Sequence, residues 1–419
     1  MSILAISLGV LILFFAWRKP VWVGLFVLLL LPTYQLRFEV FGLPTTVLEF
    51  LVWFSVAGLI LALGLKKISW PKLSNWHWLA TVIWLGVGLF GVWVSGDHYQ
   101  ALGLYRAYFL EPILLMPWLV IIAQSETNRR LVLLVFSLQI LILGFMALGQ
   151  RFGLFVSPSP WILENPPRVS GWFAFPNALA LYVAPLSAFL FGAWLKLRSI
   201  KSWPETPLWI ISAFFGFLAC LLANSQGALI GLAAVLVSAG FFVKRKRLWF
   251  GVVVIVCAAL LFIPIVRQKS LEIVTGADVS TDVRRVLWQG TWRLLQARPI
   301  TGAGLGNFPE VYKVYKLPQH VEFLQYPHNL ILNVWSEVGL PGLVFSLIAV
   351  IWLSIRLFQA VRNQNHWAMA GVFAWLALVV HGLVDVPFFK NDLAILTLGL
   401  FIFAVFLPPG DKAKNKIPS

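Results

Sequence analysis

Long apolar stretches separated by short polar breaks run along almost the whole chain. Most of them are close to 20 residues long, the length of α-helix needed to cross the hydrocarbon core of a bilayer. We therefore predict an all-α, polytopic transmembrane protein with about 12–13 spans. The predicted spans lie near residues 3–17, 20–34, 45–65, 76–95, 102–123, 131–150, 173–195, 207–223, 226–243, 248–266, 328–355, 367–385 and 391–408.

The order of spans and breaks divides the chain into five parts. They are N-terminal transmembrane helices at 1–150, central transmembrane helices at 151–266 with an external loop at 151–172, a long external loop at 267–327, C-terminal transmembrane helices at 328–408 and a basic cytoplasmic tail at 409–419. The first apolar run resembles a signal-peptide core, but no small-residue cleavage site follows it. We predict that it spans the membrane or pairs with the second run as a tight hairpin.

Composition and charge agree with a membrane protein. Of the residues, 60% are hydrophobic and 11% are charged, whereas soluble domains have about 25% charged residues. The net charge of +16 comes largely from basic clusters in alternate breaks, such as Arg18-Lys19, Arg129-Arg130 and 244–247. This distribution follows the positive-inside rule and places the 267–327 loop outside. The charge therefore indicates orientation and attraction to anionic lipid rather than binding to nucleic acid.

One amphipathic helix is predicted inside the long external loop, over residues 282–298. Asp282 suits the positive end of a helix dipole, and Pro299 stops the helix. An apolar stripe along it predicts that the helix lies on the outer membrane surface. The stripe consists of Leu287, Gly290, Thr291, Leu294 and Leu295.

The same helix carries a candidate anion site. Arg284, Trp288 and Trp292 recur every fourth residue and share a face. A guanidinium above interfacial aromatic rings suits a diphosphate, which it can hold through paired hydrogen bonds. The alternative is an anchor for lipid headgroups. Arg285 and Arg293 point away from this face and are interpreted as anchors.

Polar residues also open the eleventh predicted span. His328 is a candidate general base because imidazole titrates near neutral pH. The alternative is a structural histidine at the membrane interface whose hydrogen bonds are satisfied within the protein. Asn329, Asn333 and Glu337 recur every fourth residue and are expected to face a cavity, since polar groups are costly inside a membrane. The preceding GxGxG at 302–306 lacks the strand and helix of a dinucleotide fingerprint. We interpret it as a tight turn rather than a phosphate contact.

Two further pairs of ionisable residues lie within predicted spans. Arg106 and Glu111 are interpreted as a buried ion pair. His381 and Asp385 lie one turn apart, and we interpret them as part of a helix–helix hydrogen bond because no third metal ligand accompanies them. The sequence has no HExxH, Walker A, GxSxG, CxxC or Asp-x-Asp motif. It therefore predicts no metal site.

Five short motifs between about residues 168 and 342 can be compared with known families. They are Arg168-Val-Ser-Gly171-xxxx-Pro176-Asn177, Asn224-Ser-Gln-Gly227-Ala, Arg284-xxx-Trp288, Arg298-Pro299-Ile-Thr-Gly302-Ala-Gly304-Leu-Gly306-Asn-Phe308 and His328-Asn329-xxx-Asn333-xxx-Glu337-Val-Gly339-Leu-Pro-Gly342. Together they resemble the C-terminal domain of the O-antigen ligase and O-antigen polymerase family. In the second motif Gln226 stands where the family has an arginine, so this position supplies no positive charge.

The resemblance implies an inverting glycosyltransferase in the bacterial cytoplasmic (inner) membrane, with its active site on the extracytoplasmic face and no metal or other cofactor. The donor would be a glycan on undecaprenyl diphosphate, and the acceptor hydroxyl would belong to lipid A-core, another surface glycan or a protein. By matching positions, Arg168 and Arg284 would bind the diphosphate and His328 would act as the catalytic residue. Arginines would stabilise the charge of a leaving group that has no bound cation. The supporting positions are Asn329, Glu337, Asn177 and Trp288.

Several alternatives stay open at this point. A polysaccharide polymerase and a protein O-oligosaccharyltransferase differ from a ligase in the acceptor. A solute transporter is the alternative from a different class, and it would use Arg106 and Glu111 in a midplane site. The enzyme hypothesis instead predicts that Arg168, Arg284 and His328 meet beside one cavity open to lipid.

Overall fold

The computed structural model describes residues 2–405 except 41, 72–73, 166, 199–202, 263–266, 269–270, 273–274, 276–278 and 320–324. The predicted tail at 409–419 and parts of the 267–327 loop therefore lie outside the described residues. The chain is 75% helical, which confirms the all-α prediction. Within the described residues, six helices are long and apolar enough to cross a membrane, and six shorter apolar helices accompany them.

The secondary-structure elements are numbered here in chain order. The helices are α1 Ser2–Arg18, α2 Pro20–Leu29, α3 Val47–Gly64, α4 Asn75–Val94, α5 His98–Tyr105, α6 Glu111–Ala123, α7 Glu126–Arg151, α8 Pro176–Leu197, α9 Thr206–Leu222, α10 Gln226–Ala239, α11 Lys246–Leu260, α12 Val279–Ala297, α13 Phe308–Tyr312, α14 Leu330–Arg362, α15 Ala368–Gly382 and α16 Asn391–Val405. A π-helical turn, Arg106–Leu110, joins α5 to α6. A hairpin that the apolar pattern did not predict, β1 Arg37–Val40 and β2 Leu43–Thr46, precedes α3.

Helix α8 forms the centre of the bundle. It packs against α9 and α15 and is buried along most of its length, as expected for a helix that is apolar on all sides. The outer helices expose large apolar side chains, including Trp93, Phe145 and Ile348. Exposed apolar side chains on long apolar helices suit contact with lipid.

Helix α14 contains a break that is important for the candidate site. Val338 and Gly339 leave the helical conformation, and Gly339 adopts a φ of 67°. The left-handed region favours glycine, and Pro341 follows it within the same helix. The break leaves backbone groups near Ser336 and Leu340 without helical partners.

A loop at residues 300–306, called the glycine loop here, supplies those partners. Its Ala303 and Gly304 amides donate to the Ser336 carbonyl at 2.7 and 3.1 Å. In return, the Leu340 amide donates to the Ile300 carbonyl at 2.9 Å. Inside a bilayer a freed backbone group must find a protein partner, because no water is available. The loop therefore fixes the end of α12 against the broken helix.

Helix α12 confirms the helix predicted at 282–298, but its apolar stripe faces protein rather than the membrane. Leu287, Leu294 and Leu295 are buried in a small core with Phe308 and Tyr312. The prediction was wrong on this point because a stripe shows that a face is covered, not what covers it. Here the returning loop and α13 cover it.

Gly302→Ala tests the packing of the glycine loop. Gly302 has a φ of 66°, and a Cβ there would lie 2.6 Å from the Ser336 carbonyl oxygen. Gly153 is a matched control, because its φ is 76° and a Cβ would meet nothing within 4 Å. Both alanines carry a backbone cost of about 1–2 kcal/mol, and only Gly302→Ala adds the clash. We expect a clearly lower thermal-unfolding midpoint in detergent for Gly302→Ala than for Gly153→Ala. Equal midpoints would contradict this packing.

Candidate active site

Arg168 is held in a fixed orientation beside the start of α8. Its Nε donates to the Ala223 carbonyl at 2.9 Å, and its Nη2 donates to Asn177 Oδ1 at 3.1 Å. The guanidinium carbon lies 5.2 Å from the Trp161 ring centre, and Glu164 is 4.0 Å from Nη1. Asn177, predicted as a supporting residue, thus contacts Arg168 directly.

The position of Arg168 is electrostatically unusual. Its side chain is only 18% exposed. Burial lowers the pKa of the guanidinium, Glu164 opposes that shift, and the positive charge of Arg284 adds to it. The charge of Arg168 is therefore opposed by a second cation, with one carboxylate at the limit of ion-pair distance. Such an arrangement favours binding of an anion.

Arg284 and Trp288 are placed by α12. Arg284 Nη1 donates to Ser280 Oγ at 2.6 Å, one turn earlier in the helix. The Trp288 indole donates to the Pro327 carbonyl at 2.8 Å, and Pro327 directly precedes His328. Trp288, predicted as a supporting residue, thus ties the helix of Arg284 to the segment that precedes His328.

His328 stands just before the first turn of α14 in a conformation that histidine rarely adopts, with a φ of 48°. Two contacts fix the side chain. The centres of the Tyr326 and His328 rings lie 4.4 Å apart, and His328 Nδ1 lies 3.1 Å from Asp385 Oδ1. A carboxylate only accepts hydrogen bonds, so this contact assigns the proton to Nδ1. Nε2 is then left as the acceptor.

Asp385 is the partner of His328 that the sequence interpretation missed. It lies 57 residues from His328, and the sequence predicts a helix–helix hydrogen bond for His381 and Asp385 without identifying its partner. Burial by itself raises the pKa of the Asp385 carboxyl, but the hydrogen bond from His328 and the charges of His328, His381 and Lys390 outweigh it and leave the pKa below its ordinary value. His381 itself packs against α10, where a Cβ on Gly227 would lie 2.6 Å from its ring.

The two residues expected to support His328 make other contacts. Asn329 caps α14 by accepting from the Leu332 amide, and it donates to the Leu383 carbonyl at 2.8 Å. It therefore positions the backbone next to His328. Glu337 Oε2 accepts from the Gly306 amide at 2.6 Å, so its contact is with the glycine loop.

The predicted pair of Arg106 and Glu111 is present but belongs to a larger group. Arg106 Nε lies 3.7 Å from Glu111 Oε1, and Arg106 Nη2 lies 2.9 Å from Glu49 Oε2. Glu111 Oε2 also accepts from Asn391 at 2.8 Å. Glu49 is in the first turn of α3 and Asn391 begins α16, so the group lies where those helices start.

An apolar cavity of about 280 Å³ starts at Leu330, two residues after His328. Arg168, Arg284 and His328 are not among the residues that line it, contrary to the prediction that they meet beside one cavity. Leu330, Ile331 and Val334 from α14 line one wall, and Pro387 and Phe388 from the segment after Asp385 line another. The cavity continues between α14, α15 and α16. In the described part of the chain, no three His, Cys, Asp or Glu side chains are grouped to hold a metal ion.

These features describe a polytopic membrane protein with a candidate site that contains arginine and histidine. Residues 211–347 match the family model of the O-antigen ligase, the family that the sequence motifs resemble. The match covers about a third of the chain and includes Arg284 and His328 but not Arg168 or Asp385. A search of curated proteins found no match.

Asp385→Asn is expected to change how stability depends on pH. A carboxyl whose pKa is lowered in the folded state stabilises it at pH values above its ordinary pKa of about 4, and this contribution is lost as the pH falls further. The stability of the unmodified protein should therefore fall relative to Asp385→Asn between about pH 5 and pH 3. Thermal unfolding in detergent across this range measures the difference. A constant difference would show that the pKa of Asp385 is not lowered.

Proposed function

We propose that this protein is a membrane glycosyltransferase of the O-antigen ligase type. It transfers a glycan from undecaprenyl diphosphate to an acceptor hydroxyl of lipid A-core or another surface glycan. The carrying observation is that the helix of Arg284, whose charge acts on Arg168, is bonded through Trp288 to Pro327, directly before the His328 that contacts Asp385. The match of residues 211–347 to the O-antigen ligase family supports the same class of enzyme.

In this proposal His328 Nε2 takes the proton from the acceptor hydroxyl as that oxygen attacks the anomeric carbon of the glycan. The bond from this carbon to the diphosphate oxygen breaks, and the diphosphate leaves with the electron pair. A single displacement inverts the anomeric configuration. Asp385 stabilises the imidazolium that forms, as a carboxylate does for a histidine base.

Arg168 and Arg284 act on the leaving group. Charge grows on the diphosphate as the glycosidic bond breaks, and fixed guanidinium groups stabilise it without reorganisation. Asn177 and the Ala223 carbonyl already hold the Arg168 side chain in one orientation. The guanidinium therefore does not have to be ordered when the diphosphate binds. No metal is needed in this scheme, since the arginines take the role that a cation has in many glycosyltransferases.

The apolar cavity that starts at Leu330 supports a lipid-linked donor. Its walls are almost entirely hydrocarbon, and isoprenoid chains bind by burial of apolar surface. The diphosphate would remain at the arginines while the first isoprene units enter this cavity.

The distribution of basic residues supports an extracytoplasmic site. Arg129 and Arg130 lie in the first turns of α7, Lys196 in the last turn of α8 and Arg362 at the end of α14. These ends are opposite to the helix ends that carry the site. By the positive-inside rule the basic ends face the cytoplasm, so the site opens on the outer face of the cytoplasmic membrane.

Arg284→Ala and His328→Ala should each abolish glycan display in a deletion strain that expresses the variant, because the first loses leaving-group stabilisation and the second loses the base. Arg285→Ala is a matched control on the same helix, since the Arg285 side chain is 70% exposed and pairs with Asp282. Envelope-glycan gels together with the amount of protein in membranes measure the effect. Normal display by Arg284→Ala would contradict its role.

Transfer by the purified protein should not require a divalent cation. Reactions in nanodiscs with and without excess EDTA are expected to have the same rate, because Arg168 and Arg284 supply the positive charge. A rate that falls with EDTA and recovers on addition of Mg²⁺ or Mn²⁺ would contradict the metal-independent mechanism.

A further inference from the structure

Trp161 contacts Arg168 directly and has no role in the mechanism above. It begins a short 3₁₀ turn, Trp161–Leu163, in the connection between α7 and α8. The guanidinium carbon of Arg168 lies over the Trp161 ring, 5.2 Å from its centre. The Arg168 amide also donates to the Trp161 carbonyl at 3.3 Å. The two residues are therefore joined through their side chains and through their backbones.

The Trp161 ring is itself held in place. Its indole donates to the Ala174 carbonyl at 3.2 Å, just before α8 begins. The Phe175 ring packs edge-on against it, with the two ring centres 6.3 Å apart. The ring is thus held by the segment that leads into α8, the helix whose Asn177 also accepts from Arg168.

The contacts of the Arg168 guanidinium leave donors for a ligand. A guanidinium has five N–H groups. Among the described residues, one N–H donates to the Ala223 carbonyl and one to Asn177. Glu164 lies 4.0 Å from Nη1, which is beyond hydrogen-bond distance. Three of the five N–H groups therefore remain, and paired N–H groups of arginine suit phosphate oxygens.

The Trp161 ring stabilises a cation that its surroundings otherwise disfavour. The Arg168 side chain is largely buried, and the charge of Arg284 opposes its own. The face of an aromatic ring carries partial negative charge and attracts a guanidinium. A ring, unlike a carboxylate, has no oxygen that would compete with a diphosphate for the remaining N–H groups. Trp161 can therefore stabilise the charge of Arg168 and leave its donors available.

We propose that Trp161 is a positioning residue for Arg168 and holds its guanidinium ready for the diphosphate of the lipid-linked donor. This assignment rests on the proposed glycosyl transfer. Trp161 acts through Arg168 and does not itself contact the diphosphate. Without the ring, two hydrogen bonds alone would hold the guanidinium, and a side chain that must be ordered on binding lowers the affinity for the ligand.

The test is a double-mutant cycle on the binding of undecaprenyl diphosphate to the full-length protein in nanodiscs. Trp161→Leu should weaken binding about five- to thirtyfold, the range expected for loss of a partly desolvated cation–π contact. Trp161→Phe keeps an aromatic ring, and its binding should stay within about threefold of the unmodified protein. In an Arg168→Ala background, Trp161→Leu should change binding by less than about twofold, because the residue that it positions is absent.

Trp203→Leu is the matched control, because Trp203 makes the same kind of contact away from the candidate site. The Arg130 guanidinium carbon lies 4.5 Å from the Trp203 ring centre, and Arg130 is in the first turns of α7. Trp203→Leu should bind undecaprenyl diphosphate as the unmodified protein does. In transfer assays, Trp161→Leu should raise the KM for the donor and leave the KM for the acceptor unchanged, since only the donor carries the diphosphate.

The outcomes separate this assignment from the proposed function. Normal binding by Trp161→Leu together with weak binding by Arg168→Ala would overturn the assignment and leave the proposed function intact. Effects that multiply in the cycle would mean that Trp161 contacts the ligand independently, and an equal loss in Trp203→Leu would mean a general structural effect. Either result overturns the assignment. If Arg168→Ala bound undecaprenyl diphosphate normally, the role of Arg168 in the proposed function would fail, and this assignment would fail with it.

Discussion

The docking of the glycine loop into the break of α14 is the interaction on which the candidate site depends. Ser336 and Leu340 exchange backbone hydrogen bonds with residues 300–306, and in a bilayer such groups have no alternative partner. The contact joins the end of α12, which carries Arg284, to the helix that His328 precedes. The Trp288 indole makes the second tie at Pro327. These two contacts fix the position of α12 relative to α14, although α12 is not among the helices that are apolar enough to span a membrane.

Sequence alone predicted the helices well and their contacts poorly, for a physical reason. A spanning helix is determined by local composition, so apolar runs located most helices. The partner of a polar side chain is determined by packing between distant segments, so the sequence did not identify His328 as the partner of Asp385, and it placed Glu337 at the histidine rather than at the glycine loop. The stripe on α12 was read as membrane-facing because periodicity does not identify what lies opposite. The roles of Arg168, Arg284 and His328 stay predictions from motifs, and the structure adds that Arg168 and Arg284 interact electrostatically.

A cryo-electron microscopy structure of the protein in nanodiscs with undecaprenyl diphosphate tests the central claim most directly. The account predicts density for the two phosphates between the guanidinium groups of Arg168 and Arg284, with the terminal phosphate oxygen facing His328 and the first isoprene units in the cavity lined by Leu330 and Phe388. Phosphate density at another place, or at the basic ends of the helices, would contradict it.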